Sequence, residues 1–416
     1  MIGGGVSGQA VAGLAETLGV KCRIVNDVET RNSDLNELFK DVDLAVVSPG
    51  VLPTSRLYNF ARERGLEIIS ELELGIRHFP GRMLAVTGTN GKTTTVELTE
   101  FILNKLNVQA IAAGNIGLPL SEVARRILRG EYSAANDLVA VLEVSSFQLE
   151  HTSGIPAEAA VLLNVESDHI NRYPGGLAEY RAVKERIFLQ VPESCRFYGI
   201  SMSNQRGSGV FAINGNTLYC NDSPLLDLRE TALSAPHNQE NLLAALSLCN
   251  SVIDLTGQLS ELAAALKEFK TGDHRISLVE TLDGIKYIDD SKATNPAAVI
   301  AAVKSLASSP QGNMILIAGG LDKAMDFSVL ATLSAYLKKV IVYGQCGAAV
   351  AEVFAGKNEI FDAGTDFALA VNEAHKIAVS GDIVLLSPAA ASMDMFKDYK
   401  ERGDVFAKLV RQLAEK

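Results

Sequence analysis

Short apolar runs recur along this 416-residue chain, and most are followed by polar turns and stretches with helical spacing. Met83 to Val86 reads as a short, fully buried strand. A turn of Gly and Asn follows, and then Lys92 and three threonines open a helix whose apolar positions are Val96, Leu98, Phe101 and Ile102. The same alternation predicts strands at 22–27, 44–50, 67–70, 109–115, 138–146, 159–165, 284–290, 313–320, 338–344 and 381–388, and a helix at 54–64. Strands alternating with helices argue for mostly parallel, doubly wound α/β sheets. Residues 195–233 differ, with short β-like runs and Asn/Gly turns that predict a small antiparallel addition, and a helix begins right after APHN.

A chain of this length is too long for one core, so the pattern divides into three domains. A Rossmann-like domain is expected over 1–70, a P-loop-type, mostly parallel ATP-binding domain over 71–271, and a Rossmann-like domain over 272–416. The first carries a fault. GGGVSG at 3–8 matches G-x-G-x-x-G with Asp27 further on, yet only Met1 and Ile2 precede it where a central strand should stand. The expectation is that the natural chain starts several residues upstream.

Composition narrows the picture. The chain is 47% hydrophobic and 21% charged, as in an ordinary soluble α/β protein, and no apolar run predicts membrane insertion. Five scattered cysteines (22, 195, 220, 249, 346) lack metal-type spacing and read as free thiols in a reducing cytoplasm. A net charge of −11 argues against a nucleic-acid partner.

The candidate chemistry centres on TGTNGKTT. A strand running through glycines into a helix start is a phosphate cradle, because first-turn N–H groups and the helix dipole favour an anion there. Gly88, Thr89, Asn90, Gly91, Lys92, Thr93 and Thr94 form the expected ATP site, with Lys92 on the terminal phosphates and the Thr93 hydroxyl on magnesium. The spacing departs from the usual P-loop, since the position six before the lysine is Val86 and the first glycine is Gly88. Glu143 ends an apolar strand, as a magnesium ligand or a surface carboxylate. His169 and Lys184 stay unassigned from residue type alone; Lys184, in an amphipathic helix, reads as solvated. Asn238 and Asn241, one turn apart at a helix start, suit adenine recognition or, for Asn238, helix capping. Arg275 suits a phosphate or a surface salt bridge. Asp290, Lys292 and Thr294 crowd the end of a strand, and Lys323, Ser392 and Lys397 repeat the arrangement on later strands, where a carboxylate-bearing substrate could be gripped.

Taken together, TGTNGKTT, LEVSSFQLE, NVESDHINRYP, YRAVKERI, HNQEN and HR resemble the Mur ligases, in the family's order and over essentially the whole chain. DDSKATNP and SPAAASMDMFKDYKERG look like the D-glutamate-adding branch. The resemblance implies an ATP-dependent amide ligase that adds D-glutamate to UDP-N-acetylmuramoyl-L-alanine through an acyl phosphate, with ATP and two Mg2+ ions, as a cytoplasmic monomer. It implies that Lys184 is carbamylated and shares a second magnesium with His169, and that Lys92, His169 and Lys184 are catalytic. Thr93 and Glu143 would hold the first metal. Asn238, Asn241, Arg275 and Asp290 match nucleotide-side positions; Thr294, Lys323 and Ser392 match the D-glutamate grip. Tyr399 matches a substrate-side position that is Phe in one member of the family, where ring stacking would survive. Gly50, Asn115 and His169 match muramoyl-substrate positions, and Gly5, Val6, Ser7 and Asp27 the uridine end, where Val28 and Glu29 replace an expected Thr-Arg pair. Other readings are a dehydrogenase resting on GGGVSG alone, another Mur-type or folylpolyglutamate-type ligase, and an ATP-binding protein inactivated by its short N-terminus.

Overall fold

The computed structural model describes residues 1–132, 135–168, 172–199, 210–307, 309–323 and 325–414. They divide into two compact units, 1–165 with 175–270, and 166–174 with 271–416.

The first unit begins with α1 (Val6–Thr17), α2 (Leu35–Leu38), β1 (Leu44–Val47), α3 (Arg56–Glu63), β2 (Glu67–Ser70) and α4 (Glu71–His78). β1 and β2 pair in parallel, and Ile2 forms single bridges to Val25 and Val47. The strand expected at 22–27 is therefore reduced to the bridge at Val25. Around that bridge Val25 N–H donates to Met1 O at 2.9 Å and Gly3 N–H donates to Val25 O at 2.8 Å, and the ladder goes no further because a helix, α1, begins at Val6. Ser70 fixes the passage into α4: its hydroxyl caps Glu73 N–H and meets Thr152 Oγ1 at 2.8 Å.

The same unit continues through β3 (Arg82–Thr87), α5 (Lys92–Lys105), β4 (Ala110–Gly114), α6 (Leu120–Leu128), β5 (Val139–Glu143), α7 (Ser146–Leu149), β6 (Ala159–Leu162), α8 (Gly176–Glu185) and β7 (Arg196–Tyr198). These strands form one parallel sheet in the order β4-β5-β3-β6-β7. Alternation along β3 explains its two covered faces: Leu84 and Val86 join one buried cluster, Met83 and Ala85 the other. β8 (Phe211–Asn214), β9 (Thr217–Cys220) and β10 (Ser223–Asp227) make the expected antiparallel addition. α9 (Pro236–Val252) and α10 (Leu259–Glu268) close the unit. The chain leaves β3 toward β4 on one side and β6 toward β7 on the other. The connections diverge between β3 and β6, which is where open parallel sheets bind ligands.

In the second unit, β11 (Ser277–Leu282), β12 (Ile285–Asp289), α11 (Pro296–Leu306), β13 (Met314–Gly319), β14 (Leu337–Tyr343), α12 (Gly347–Phe354), β15 (Glu359–Asp362), α13 (Phe367–Ile377), β16 (Ile383–Leu386) and α14 (Tyr399–Leu413) follow. The sheet order is β11-β12-β16-β13-β14-β15, with β11 antiparallel and the rest parallel. Met314 and Leu316 face one core, Ile315 and Ile317 the other. Among the described residues no single helix is long and apolar enough to cross a membrane.

Candidate nucleotide and substrate sites

The loop after β3 enters α5 through Gly91, whose φ of +84° caps the helix and whose missing side chain leaves room for Asn241 Oδ1. Lys92 folds over this loop, its Nζ donating to the carbonyls of Gly88 at 3.0 Å and Thr89 at 2.9 Å. Beneath it, the Thr93 hydroxyl donates to Glu143 Oε2 at 2.6 Å, and Asn115 Nδ2 donates to Glu143 Oε1 at 2.8 Å. Glu143 is 4% exposed, so it is not a surface carboxylate but an acid held under the phosphate loop at the end of β5. A hydroxyl and a carboxylate are the hard oxygen donors that magnesium takes, so the residues fit that ion. Among the described residues no three His, Cys, Asp or Glu side chains gather into a metal cluster. Thr93 and Glu143 would supply two oxygen donors to such an ion, with phosphate oxygens and water as the usual remainder.

Lys184 departs from the solvated reading. It is 1% exposed, its Nζ donates to Gly88 O at 2.7 Å, and it lies 4.5 Å from the Tyr180 ring centre. The amphipathic pattern of α8 could not show this, because Gly88 lies 96 residues away in sequence. His169 lies outside the described residues. Asn238 does not cap α9: Ala235 is the N-cap, and Asn238 sits inside the first turn with Nδ2 on Ala232 O at 3.3 Å. Pro236 starts the helix instead, since its missing N–H needs no partner there. Asn241 Nδ2 donates to Asn238 Oδ1 and its own Oδ1 accepts from Thr95, each at 3.4 Å, so the asparagine pair packs against the phosphate loop.

Also in the first unit, a cavity of about 560 Å³ is lined by Gly3, Asp27, Arg31, Gly50 and Leu52 among others. Gly5, Val6 and Ser7, expected with Asp27, start α1 and are not among its lining residues. Asp27 Oδ1 accepts from Leu57 N–H at 3.0 Å, which holds it at the start of α3. Val28 is exposed, and Glu29 N–H caps onto Asn26 Oδ1 at 2.8 Å.

In the second unit, three loops at the carboxyl ends of β12, β13 and β16 meet. Leu321 N–H donates to Ala391 O at 2.8 Å, Gly319 N–H to Pro388 O at 2.8 Å, and the Ser387 hydroxyl to Asp290 Oδ2 at 2.7 Å. Burial pushes Asp290 up to about 7, with the Asp289 charge adding to the rise; the Ser387 hydroxyl, Ile276 N–H and Arg275 oppose it. Thr294 and Lys323 are half-buried and Ser392 is buried around this edge. Lys292 Nζ stands 5.0 Å from the Tyr399 ring centre.

Two residues missed in the sequence organise this edge. Arg402 is fully buried and donates to Ser291 O at 2.7 Å and to Ala390 O at 3.1 Å. His274 Nδ1 lies 2.7 Å from Asp289 Oδ2, in a space that Gly403 keeps open: a β-carbon there would stand 2.2 Å from the imidazole. Their only sequence signal was membership of the HR and KERG blocks.

Family models for the Mur ligase middle domain and the Mur ligase glutamate ligase domain match residues 86–207 and 274–390. A protein of Francisella philomiragia named UDP-N-acetylmuramoylalanine--D-glutamate ligase is 34% identical, covering 99% of this chain and 96% of that protein. The chain belongs to the Mur ligases. A relative of the same name from Acidobacterium capsulatum is 37% identical over 89% of this Mur ligase and 83% of its own length. Among solved structures, the UDP-N-acetylmuramate-alanine ligase of Thermotoga maritima superposes with a TM-score of 0.60 at 18% identity, covering 100% of this chain and 99% of that one. The Thermotoga maritima MurF ligase, solved in complex with ADP, gives 0.55 at 16% identity, covering 90% and 96%. At those identities the match speaks for the α/β, multi-sheet fold.

Proposed function

We propose that this Mur ligase joins D-glutamate to UDP-N-acetylmuramoyl-L-alanine at the expense of ATP, in peptidoglycan precursor synthesis. The observation that carries the reading is the 34% identity, over nearly the whole length of both chains, to a ligase of that name. The Thr93–Glu143 pair under a phosphate loop supports the ATP half. We assign 1–70 to the UDP end, 71–271 to ATP and 272–416 to the amino acid.

Gly91 and the first turn of α5 receive the phosphates, and Lys92 swings from its own loop carbonyls onto the terminal phosphate. Asn238, Asn241, Arg275 and Asp290 hold the nucleoside side. Thr93 and Glu143 would hold one magnesium, His169 and carbamylated Lys184 a second. When bound, the ions neutralise charge between two approaching anions. The carboxylate of the muramoyl-L-alanine attacks the γ-phosphate and ADP leaves. The amine of D-glutamate, gripped by Thr294, Lys323, Ser392 and the Tyr399 ring, attacks the resulting acyl phosphate, forming the amide and releasing phosphate. Gly50 and Asn115 contact the muramoyl substrate. Carbamylation joins the Lys184 nitrogen to CO2 with loss of two protons from the ammonium, which turns a cation into an anionic oxygen ligand. The enzyme works as a cytoplasmic monomer.

The test is phosphate release with ATP, magnesium and UDP-N-acetylmuramoyl-L-alanine, adding D-glutamate, L-glutamate, L-alanine or diaminopimelate in turn. Release with D-glutamate alone is expected. Release with another amino acid instead, or none with any, overturns the reading.

A further inference from the structure

The loop Gly88–Gly91 has a partner that the ATP reading does not use. Asn164 lies just beyond β6, on the other side of the divergence between β3 and β6. Past the strand ends the ladder continues, with Leu163 N–H on Thr87 O and Thr89 N–H on Asn164 O, each at 2.9 Å. The Asn164 side chain then takes over. Its Oδ1 accepts from Asn90 N–H at 2.8 Å and from Thr89 N–H at 3.1 Å, and its Nδ2 donates to Asn90 O at 3.1 Å. The amide orientation follows from this pattern, because a flipped group would set its NH2 against two N–H donors.

A cradle loop serves phosphate with its backbone N–H groups. Here two of those groups, on Thr89 and Asn90, already donate to a neutral protein acceptor. They could reach a phosphate only by giving up those bonds. We propose that Asn164 is a positioning residue whose carboxamide pins the first half of the phosphate loop, Thr89 and Asn90, to the end of β6, so that phosphate is received by Gly91 and the first turn of α5. The inference rests on the nucleotide reading of this loop and divides its expected ligands in two. Asn164 replaces, for a loop bounded by two glycines, the rigidity that a strand partner would give. The side chain mimics a strand by pairing with both the N–H and the C=O of Asn90.

The test uses the full-length protein and single-residue amide hydrogen exchange, first without nucleotide. Thr89 and Asn90 amides should exchange slowly in the wild type and faster in Asn164→Ala. Asn164→Asp keeps the acceptor oxygen and should keep both amides slow, which separates loss of the pin from general disturbance if the alanine variant folds poorly. Equal exchange in the wild type and Asn164→Ala, or fast exchange in a folded Asn164→Asp, overturns the pin. Adding magnesium ADP to the wild type should then slow exchange across Gly91 to Thr94 and leave Thr89 and Asn90 as they were. Newly slowed Thr89 and Asn90 amides would overturn the division of the loop. Asn164→Ala should weaken ADP binding and raise the KM for ATP roughly 10-fold, the worth of one to two hydrogen bonds, with the KM values for D-glutamate and the UDP substrate unchanged. A uniform rise in all three, or no rise for ATP, counts against positioning. Failure of ADP to bind the wild type would sink the nucleotide reading and leave the nucleotide-free exchange comparison to judge the pin.

Discussion

The Thr93 hydroxyl donates to Glu143 Oε2 at 2.6 Å although the two residues stand 50 apart in the chain. Adjacent parallel strands make this possible: β3 delivers the phosphate loop and α5, and β5 ends beside it with Glu143 paired to Val86 and Gly114. If the pair holds magnesium, the charge matters and not only the shape. Glu143→Gln keeps an acceptor for Thr93 and should cut phosphate release about 100-fold or more, with a raised magnesium requirement. Thr93→Ser should retain most of the activity and Thr93→Val little. A magnesium titration of phosphate release is the check; a Glu143→Gln curve superposing on the wild type would remove the carboxylate from the metal site.

At Gly91 two constraints coincide. Its φ is +84°, and a β-carbon would stand 2.3 Å from Asn241 Oδ1. The left-handed conformation alone costs about 1–2 kcal/mol for a residue with a side chain, and the asparagine must also move. Gly91→Ala should therefore lose nucleotide affinity by at least roughly 10-fold while the rest of the chain folds. Calorimetric titration with magnesium ADP, alongside thermal unfolding without it, reads both halves.

What the sequence disclosed follows from where the information lies. The phosphate loop is a contiguous signal, with strand, glycines, lysine and helix in one run, and α5 starts at Lys92 as expected. The ends of β12, β13 and β16 were legible for the same reason, as polar residues closing apolar runs. Lys184 was not, because helical periodicity reports a face and not its neighbour, and that neighbour is the Gly88 carbonyl. Asn164 and Arg402 were marked only as members of the NVESDHINRYP and KERG blocks; each acts on backbone atoms far away in sequence, a role that no residue pattern shows. The strand expected at 22–27 failed in the other direction, since a β-competent run needs a partner and Val25 has a single bridge to Ile2.

Asp290 makes the second unit sensitive to pH. Its carboxyl rises from 3.8 to about 7 in the fold, so the folded state favours the protonated form. The stabilising contribution is therefore complete below about 4 and is lost as pH climbs through about 7. A shift of that size corresponds to a change on the order of 4 kcal/mol at most. Asp290→Asn keeps the neutral shape and should flatten stability between about pH 4 and 7, ending above the wild type at neutral pH. Denaturant unfolding across that range checks it, and parallel profiles for the two proteins would refute it.

Arg402 offers the sharpest separation of stability from substrate binding. Its guanidinium is fully buried and bridges the loop after β12, at Ser291 O, to the loop after β16, at Ala390 O. Thr294 lies three residues beyond the first contact and Ser392 two beyond the second. The two proposed D-glutamate contacts are thus set by one side chain that need not touch the ligand. A lysine reaches only one of the carbonyls, since its ammonium lacks the planar fork, and the other is left buried without its donor. Arg402→Lys should cost about 2–4 kcal/mol in unfolding. It should raise the KM for D-glutamate more than the KM for ATP or for the UDP substrate. Arg402→Ala should unfold the second unit outright or nearly so. Steady-state kinetics of the lysine variant, at a temperature where it stays folded, decides the matter: equal KM changes for all three substrates would reduce Arg402 to a purely structural pin.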